Sequence, residues 1–294
     1  MKIGFVGLGP MGTPMAGRLL AAGHSLAVFN RTQARADDLV ARGARRAGSP
    51  AEAARDADIV FSMLANDAVV ESLSFGEAGI LAGLPKDAVH VSTSTISPDL
   101  STRLQRAHDQ RGQLYAAATV LGRPPAAEAG ELFIVLAGAE TARSKISGPL
   151  AALGQRVFDI GEDPAQANLV KLSLNFMIFS TIEQMSEMFA LNDKGGIAPA
   201  TLFEIMTSSF FTAPVHKNYG RIIVEQRFEP PGAAVPLALK DNRLLLEAAA
   251  DLAVPLPMAS LLRDRFLAMT AKGEAGLDFA ALSRRSRDDG GLPF

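Results

Sequence analysis

Residues 2–12 read Lys2-Ile-Gly-Phe-Val-Gly7-Leu8-Gly9-Pro10-Met11-Gly12. This stretch places the pattern G-x-G-x-x-G directly after a short apolar run and directly before a segment with helical spacing. In such a unit the first Gly permits a tight turn, the second lets backbone approach a pyrophosphate, and the third lets helix pack on strand. The N–H groups and dipole of the helix start also favour phosphates. The stretch therefore predicts dinucleotide binding by Gly7, Leu8, Gly9, Pro10, Met11 and Gly12.

Short apolar runs alternate with helix-like segments from Lys2 to about residue 160. The runs are continuously apolar, which is typical of strands buried on both faces of a parallel sheet. They are Ile3–Val6, Leu26–Phe29, Ile59–Met63, Val89–Ser92 and Phe133–Leu136, and the helical segments are Met15–Ala22, Gln33–Arg42 and Leu100–Arg111. The alternation predicts an α/β fold with an N-terminal Rossmann dinucleotide-binding domain over residues 1–162. Its ligands are expected at the carboxyl ends of the strands, in a cleft.

The second half of the chain has a different texture. Residues 165–194 have helical apolar spacing with no Gly or Pro, and Gly195-Gly196 ends the segment. Further helices are predicted at Pro199–Met206, Val215–Val224, Pro236–Leu252 and Pro257–Ala271. We therefore predict an all-helical C-terminal domain over residues 163–294 for substrate binding and dimerisation. The tail Asp288–Phe294 is expected to fray.

Composition excludes several classes of protein. With 294 residues, two domains are the first expectation. The formal net charge of −2 offers no global field for nucleic acid or an anionic membrane, and the absence of Cys removes thiolate nucleophiles and Cys-based metal sites. The four histidines lie far apart without paired ligand spacing. We expect a cytoplasmic protein that acts on a small molecule, with no metal and no nucleic-acid or membrane partner.

The end of the second predicted strand indicates which dinucleotide binds. NAD-specific sites usually place Asp or Glu here to hold the ribose 2′-hydroxyl, whereas Arg suits a 2′-phosphate. This chain has Asn30 and Arg31, followed by Thr32 as a further donor. The pattern favours NADP, with NAD as the alternative cofactor.

Several motifs together make the chain similar to the β-hydroxyacid dehydrogenase family. These motifs are Gly7–Leu20 with Asn30-Arg31-Thr32, the loop at Met63 and Leu64, the turn Ser94-Thr95-Ile-Ser-Pro98, the helix pair Lys171 and Asn175, and Lys240-Asp241. The family includes 3-hydroxyisobutyrate dehydrogenase and the glyoxylate/succinic semialdehyde reductases. The resemblance covers essentially the whole chain and implies a C-terminal domain like that of 6-phosphogluconate dehydrogenase. It places Met63, Leu64, Ser94, Thr95 and Lys240 at the cofactor, and it points to a homodimer or homotetramer.

Residue chemistry supports the resemblance at Lys171 and Asn175. Their i,i+4 spacing projects both from one face of the predicted long helix. Converting an alcohol to a carbonyl needs a proton donor and acceptor at the substrate oxygen, which a lysine can supply. An Asn amide can hydrogen-bond the same substrate as donor or acceptor. We predict both residues to be catalytic and to contact substrate.

The chain departs from the family at the loop that holds the substrate carboxylate. Where the family has a D-A-P-V-S-G-G-type loop, this chain has Ala117-Ala-Thr-Val-Leu121-Gly122-Arg123-Pro124. Leu121 replaces the Ser, Arg123 could supply a charge-assisted bond, and Pro124 withholds an amide. Ala165 and Ala167 also stand where glycines are usual. The expected substrate contacts are Leu121, Gly122, Arg123 and, as a pocket wall, Phe211.

The leading hypothesis is an NADP-dependent oxidoreductase that interconverts a small hydroxy acid, such as a 3-hydroxy acid, and its aldehyde or keto form. An imine reductase of the same fold is the first alternative, kept open by the missing Ser and opposed by the retained Lys171. A non-catalytic nucleotide-binding relative is the second. It predicts loss of Lys171 or Asn175 or an added interaction module, none of which the sequence shows.

Overall fold

The computed structural model describes residues 1–293 and divides into two compact units, Met1–Lys171 and the chain from Leu172 onward. The division falls inside one long helix. The first unit contains a single eight-stranded sheet. Its strands are β1 Lys2–Val6, β2 Ser25–Phe29, β3 Arg45–Arg46, β4 Ile59–Ser62, β5 Val89–Ser92, β6 Leu114–Leu121, β7 Leu132–Gly138 and β8 Gly154–Asp159.

The strand order is β3-β2-β1-β4-β5-β6-β7-β8, which contains the doubly wound order of a dinucleotide-binding fold. Every neighbouring pair is parallel except β6 and β7, which run antiparallel. The order reverses at β1 and β4, and open α/β sheets bind ligands outside the carboxyl ends of the strands at such a point. The Rossmann domain expected from the sequence is therefore confirmed.

Helices cover this sheet on both faces, and several begin at sequence-encoded caps. Ser49, Asn66 and Ser97 each accept a hydrogen bond from the backbone N–H three residues later, as an N-cap does. The helices are α1 Gly12–Ala21, α2 Asp37–Ala41, α3 Pro50–Ala54, α4 Asp67–Phe75, α5 Ile80–Gly83, α6 Pro98–Asp109, α7 Pro124–Ala129 and α8 Glu140–Leu153, with a 3₁₀ turn at Gln33–Ala36. The predicted segment Gln33–Arg42 is thus a 3₁₀ turn followed by a short helix.

The sheet contains three strands that the sequence did not reveal. β3 consists of two exposed arginines, β8 is largely exposed, and β6 is rich in alanine, so none is a continuous run of large apolar side chains. Their pairing with neighbouring strands determines their conformation, because backbone hydrogen bonds to an existing edge do not require apolar side chains.

The second unit is helical. It contains α9 Pro164–Lys194 from Leu172 onward, α10 Pro199–Ser208, α11 Pro214–Val224, α12 Val235–Asp251, α13 Pro257–Ala271 and α14 Ser283–Asp289, with a 3₁₀ turn at Phe279–Leu282. The predicted long helix and the four that follow it are all present. Phe179 meets the rings of Phe266 and Phe279 edge to face at centroid distances of 5.4 and 5.3 Å, and these rings lie in the buried core.

Two glycines end α9 as the sequence predicts. Gly195 and Gly196 donate to the carbonyls of Leu191 and Asp193, and Gly196 has a φ of 84°, which a residue with a side chain adopts at a cost. The frayed tail was wrong for Asp288 and Asp289, which belong to α14 and form ion pairs with Lys272 and Arg265. Phe294 lies outside the described residues.

No helix within residues 1–293 combines the length and apolar character that crossing a membrane would require.

Candidate active site

The glycine turn between β1 and α1 has the geometry that phosphate binding requires. Gly7 has a φ of 101°, and a Cβ there would lie 2.3 Å from the Met63 carbonyl oxygen. A Cβ on Gly12 would lie 1.9 Å from the Gly7 carbonyl oxygen, so helix and turn pack as tightly as the motif predicts. Nothing lies within 4 Å of a Cβ built on Gly9, so backbone is openly presented there. In the first turn of α1, the Thr13 N–H donates to the Gly9 carbonyl at 3.0 Å and Pro14 has no N–H.

The other residues of the glycine turn are Leu8, Pro10 and Met11, and they differ in burial and contacts. The Leu8 side chain lies in the sheet core, and its N–H donates to Asn30 Oδ1 at 3.0 Å. Pro10 is exposed, and Met11 is the residue that precedes α1. Leu8 therefore shapes the turn through its backbone.

Two arginines follow β2 in the chain, near the glycine turn. Asn30 uses its amide on Leu8 and on the Thr32 carbonyl, so it connects the β2 end to the turn. Arg31 is exposed, and within residues 1–293 its guanidinium forms no ion pair. Arg35 donates to the Leu8 carbonyl at 3.4 Å, which brings a second guanidinium to the turn. Sequence reasoning missed Arg35, although its position one turn after Arg31 was a signal.

The loops after β4 and β5 are connected by buried hydroxyls. Ser94 is fully buried and accepts from the Leu64 N–H at 2.8 Å, while Thr93 donates to the Ser62 carbonyl at 2.8 Å. Met63 and Thr95 are half-buried beside them. Ser94 thus positions the Leu64 loop, and Met63, Leu64 and Thr95 are more accessible than the buried Ser94.

The loop after β6 contains the residues that depart from the family pattern. The Leu121 side chain packs against a small apolar cluster that includes Ala117, Ala137 and Ala167. Gly122 has a φ of 147°, and Arg123 directly precedes α7. Leu121 therefore occupies apolar contacts within the first unit, where the family Ser would offer a hydroxyl.

Lys171 and Asn175 lie one turn apart on α9, as predicted. In the second unit, Asn175 Nδ2 donates to Asp241 Oδ2 at 2.7 Å, and Lys240 Nζ lies 2.8 Å from Asp241 Oδ1. Asp241 is buried, with 4% of its surface exposed. One carboxylate therefore orients two of the predicted site residues. Sequence motifs assign no individual role to Asp241, although it follows Lys240 directly.

Phe211 lies in the loop between α10 and α11, where its ring meets the His216 ring edge to face at 5.2 Å. Its neighbour Phe210 is 94% exposed. Within the part of the chain that the structure describes, no three His, Asp or Glu side chains gather as a metal site would require.

Both halves of the chain match known protein families. Residues 2–161 match the NAD-binding domain of 6-phosphogluconate dehydrogenase, and residues 165–285 match the NAD-binding domain of NADP-dependent 3-hydroxyisobutyrate dehydrogenase. The chain belongs to the β-hydroxyacid dehydrogenase family. The expectation of an NAD(P)-dependent oxidoreductase is thereby confirmed.

Relatives cover nearly the whole chain. A Bacillus subtilis (strain 168) protein named uncharacterized oxidoreductase YfjR is 44% identical over 96% of this chain and 98% of its own length. The glyoxylate/succinic semialdehyde reductase 1 of Arabidopsis thaliana is 30% identical over 96% of this chain and 97% of its own length. The crystal structure of 3-hydroxyisobutyrate dehydrogenase from Salmonella typhimurium is 26% identical, covers 97% of this chain and 99% of that one, and has a TM-score of 0.87.

Imine reductases share the fold at a greater distance. The imine reductase from Pseudomonas sp. has a TM-score of 0.63 and 22% identity over 96% of this chain and 98% of its own. The comparisons therefore support the hypothesis of a hydroxy acid dehydrogenase over that of an imine reductase.

Proposed function

We propose that this β-hydroxyacid dehydrogenase uses NADP(H) in preference to NAD(H) and interconverts a small hydroxy acid and its aldehyde or keto form. Lys171 is the proton donor and acceptor in this proposal, and Asn175 orients the substrate. The supporting observation is their placement one turn apart on α9, with Asn175 held by the buried Asp241 carboxylate.

The residues at the glycine turn fit a dinucleotide. Gly9 presents open backbone, while Gly7 and Gly12 leave no room for side chains, so the turn accepts a pyrophosphate against its N–H groups. Arg31 and Arg35 bring two positive charges to the end of β2, and position 30 carries no carboxylate that would repel a 2′-phosphate. Met63, Leu64, Ser94 and Thr95 follow the next two strands, and Lys240 is the further cofactor residue. When bound, NADPH supplies the hydride.

Lys171 acts on the substrate oxygen. Negative charge develops on this oxygen as the carbonyl carbon is reduced, and the Lys171 ammonium stabilises that charge and delivers its proton to the oxygen. In the oxidation direction the neutral amine accepts the hydroxyl proton. Asn175 donates through Nδ2 to Asp241, so its Oδ1 is the atom that can accept a hydrogen bond from a substrate hydroxyl.

The proposed substrate is a small aldehyde or ketone that carries a carboxylate. The Gly122 amide, Arg123 and Lys240 are the groups that would hold the carboxylate. Phe211 would wall the pocket. The Lys240 ammonium pairs with the buried Asp241 carboxylate at 2.8 Å, and Arg123 directly precedes α7.

The test replaces Lys171 by Met, which keeps much of the side-chain length and removes the ammonium. We expect kcat to fall by roughly 10²–10⁴-fold, the usual contribution of a positioned acid or base. NADPH affinity should change little, because the glycine turn that binds the phosphates is a separate segment of the chain. Turnover is measured with NADPH and glyoxylate or succinic semialdehyde, and NADPH affinity by fluorescence titration.

The control is Lys217→Met, which removes an exposed lysine of α11 and should leave kcat unchanged. Near-normal turnover by the Lys171 variant would disprove its role and make Lys240 the next candidate. A wild-type enzyme that reduces cyclic imines and ignores every carboxylate-bearing carbonyl would disprove the substrate class.

A further inference from the structure

The first turns of α9 are hydrogen-bonded to the sheet directly beneath Lys171. Thr119 of β6 donates through Oγ1 to the Ala167 carbonyl at 3.1 Å, and both residues are fully buried. In an α-helix the carbonyl of residue i accepts from the N–H of residue i+4. The Thr119 hydroxyl therefore binds the same carbonyl that closes the helical turn at Lys171.

The next residue of α9 makes a second bond to this unit. Asn168 is 1% exposed and donates through Nδ2 to Ser101 Oγ of α6 at 3.0 Å and to the Pro164 carbonyl at 3.3 Å. Ser101 in turn lies 3.3 Å from the hydroxyl of Tyr115, which shares β6 and its face with Thr119. Burial raises the pKa of Tyr115 to about 12, so its hydroxyl stays protonated over the working pH range.

Apolar packing around these groups does not by itself explain them. Ala167 and Val170 contact Ala117, Val135 and Leu121 in one small cluster of short or branched side chains. Such contacts are non-directional, so they do not by themselves specify which donor meets which acceptor. A hydrogen bond weakens steeply when its angle departs from linearity. Bonds from two consecutive helix residues to two different elements therefore specify the rotation and register of the helix.

We propose that Thr119 and Asn168, with Ser101, are positioning residues that fix the direction in which Lys171 projects. We call these three residues the helix anchor. The inference rests on the proposed role of Lys171 as the proton donor. Lysine carries its ammonium at the end of a four-carbon chain, so a small rotation of the helix displaces that ammonium markedly. A displacement of about 1 Å can cost a reaction on the order of 10²-fold.

The test is Thr119→Val, which keeps the shape of the side chain and removes the hydroxyl. We expect kcat to fall about tenfold, as partial misplacement of a reacting group predicts, while KM and affinity for NADPH stay unchanged. The solvent deuterium isotope effect on kcat should rise, because proton transfer becomes slower relative to the other steps. Thr119→Ser retains the hydroxyl and should restore kcat, and Asn168→Ala should behave as Thr119→Val does.

The matched control is Thr181→Val, which removes a hydroxyl that binds the Met177 carbonyl within the same helix. It should leave kcat and the isotope effect unchanged. A second comparison combines Thr119→Val with Lys171→Met. Because the anchor acts through Lys171, the added substitution should not reduce the residual turnover of the Lys171 variant further.

Two results would overturn the helix anchor. One is a Thr119→Val enzyme with lower thermal stability but an unchanged kcat and isotope effect, which would make the hydroxyl merely structural. The other is an equal loss with and without Lys171. If Lys171→Met keeps normal turnover, the proposed function and the anchor both fail. If it is inactive while Thr119→Val is unaffected, only the anchor fails.

Discussion

At the scale of single residues, the buried Asp241 carboxylate contacts two of the predicted site residues. It accepts from Asn175 on one oxygen and pairs with Lys240 on the other. A buried carboxylate needs such partners, because desolvation of an unpaired charge is costly. Because Asn175 contacts Asp241 through its amide nitrogen, the Asn175 carbonyl is directed away from this carboxylate. One buried acid thereby holds the amide nitrogen of Asn175 and leaves its Oδ1 as the acceptor for a substrate hydroxyl.

Cofactor choice also belongs to this scale. Replacing Arg31 by Ala should raise the KM for NADPH and leave the KM for NADH nearly unchanged, because the guanidinium binds only the 2′-phosphate. Arg35→Ala should also raise the KM for NADPH relative to the KM for NADH, since Arg35 also lies at the glycine turn. Initial rates with each cofactor give the KM for NADPH and the KM for NADH of the wild type and of both variants.

The exposed Arg221 of α11 provides the control, and Arg221→Ala should leave both constants unchanged. Equal losses with NADPH and NADH in the Arg31 variant would show that this residue does not distinguish the two cofactors.

At the scale of elements, a buried chain of hydrogen bonds connects β4, β5 and α6. The Gln113 amide donates to the Leu81 and Leu84 carbonyls at 3.1 and 2.6 Å, so its oxygen faces His108 Nδ1 at 2.8 Å. His108 Nδ1 must therefore carry a proton, and its Nε2 accepts from His90 Nδ1 at 2.9 Å. His90 Nε2 then accepts from the Ser62 hydroxyl at 2.9 Å. All four groups donate in one direction, so both imidazoles are neutral.

These hydrogen-bonded histidines should make the free energy of unfolding decrease in mild acid. Burial lowers the pKa of His108 to about 4 and the pKa of His90 well below 6.5. Below pH 6.5 the unfolded chain binds protons that the folded chain does not, so the free energy of unfolding decreases as pH falls. For His108 alone the loss reaches about 3 kcal/mol at pH 4. Urea unfolding at several pH values between 7 and 4.5 measures the slope.

The comparison variant is His108→Gln, which keeps a hydrogen-bonding side chain and cannot titrate. Its stability should depend less steeply on pH than that of the wild type, while other titrating groups cancel in the difference. Parallel slopes for the two proteins would contradict the assignment.

At the scale of the whole molecule, the helical unit exposes large apolar side chains. They include Met177, Met188 and Leu191 of α9, Ile205 of α10 and Phe210, of which Phe210 is 94% exposed. Exposed apolar groups of this size favour association, because burying them against a partner removes them from water. Together with the resemblance, this surface favours the homodimer or homotetramer expected from the sequence.

Light scattering at micromolar concentration should therefore show a dimer or tetramer. Met188→Asp combined with Leu191→Asp should shift the mass toward the monomer, because two buried charges would oppose association. Phe75→Asp, in the first unit, is the control and should not change the mass. A wild-type protein that is entirely monomeric would contradict the proposed assembly.

Much of the fold follows from patterns a few residues long. The glycine turn, the continuously apolar strands and the Gly195-Gly196 end of α9 are each encoded locally, because tight turns and buried strands restrict which side chains fit. Sequence patterns did not predict β3, β6 and β8. The exposed arginines of β3, the small alanines of β6 and the largely exposed residues of β8 form strands because they pair with a neighbouring strand. Helix α14 was not predicted either, because its ion pairs with Lys272 and Arg265 depend on tertiary contacts.

Local sequence patterns are sufficient to predict the glycine turn, the long helix and the i,i+4 placement of Lys171 and Asn175. The contacts that orient the two site residues depend instead on packing between distant segments. Asp241 lies 66 residues from Asn175 along the chain, and Thr119 lies 48 residues from Ala167. Periodicity and turn chemistry act over one or two turns of backbone, whereas a buried hydrogen bond between distant residues depends on how whole elements pack.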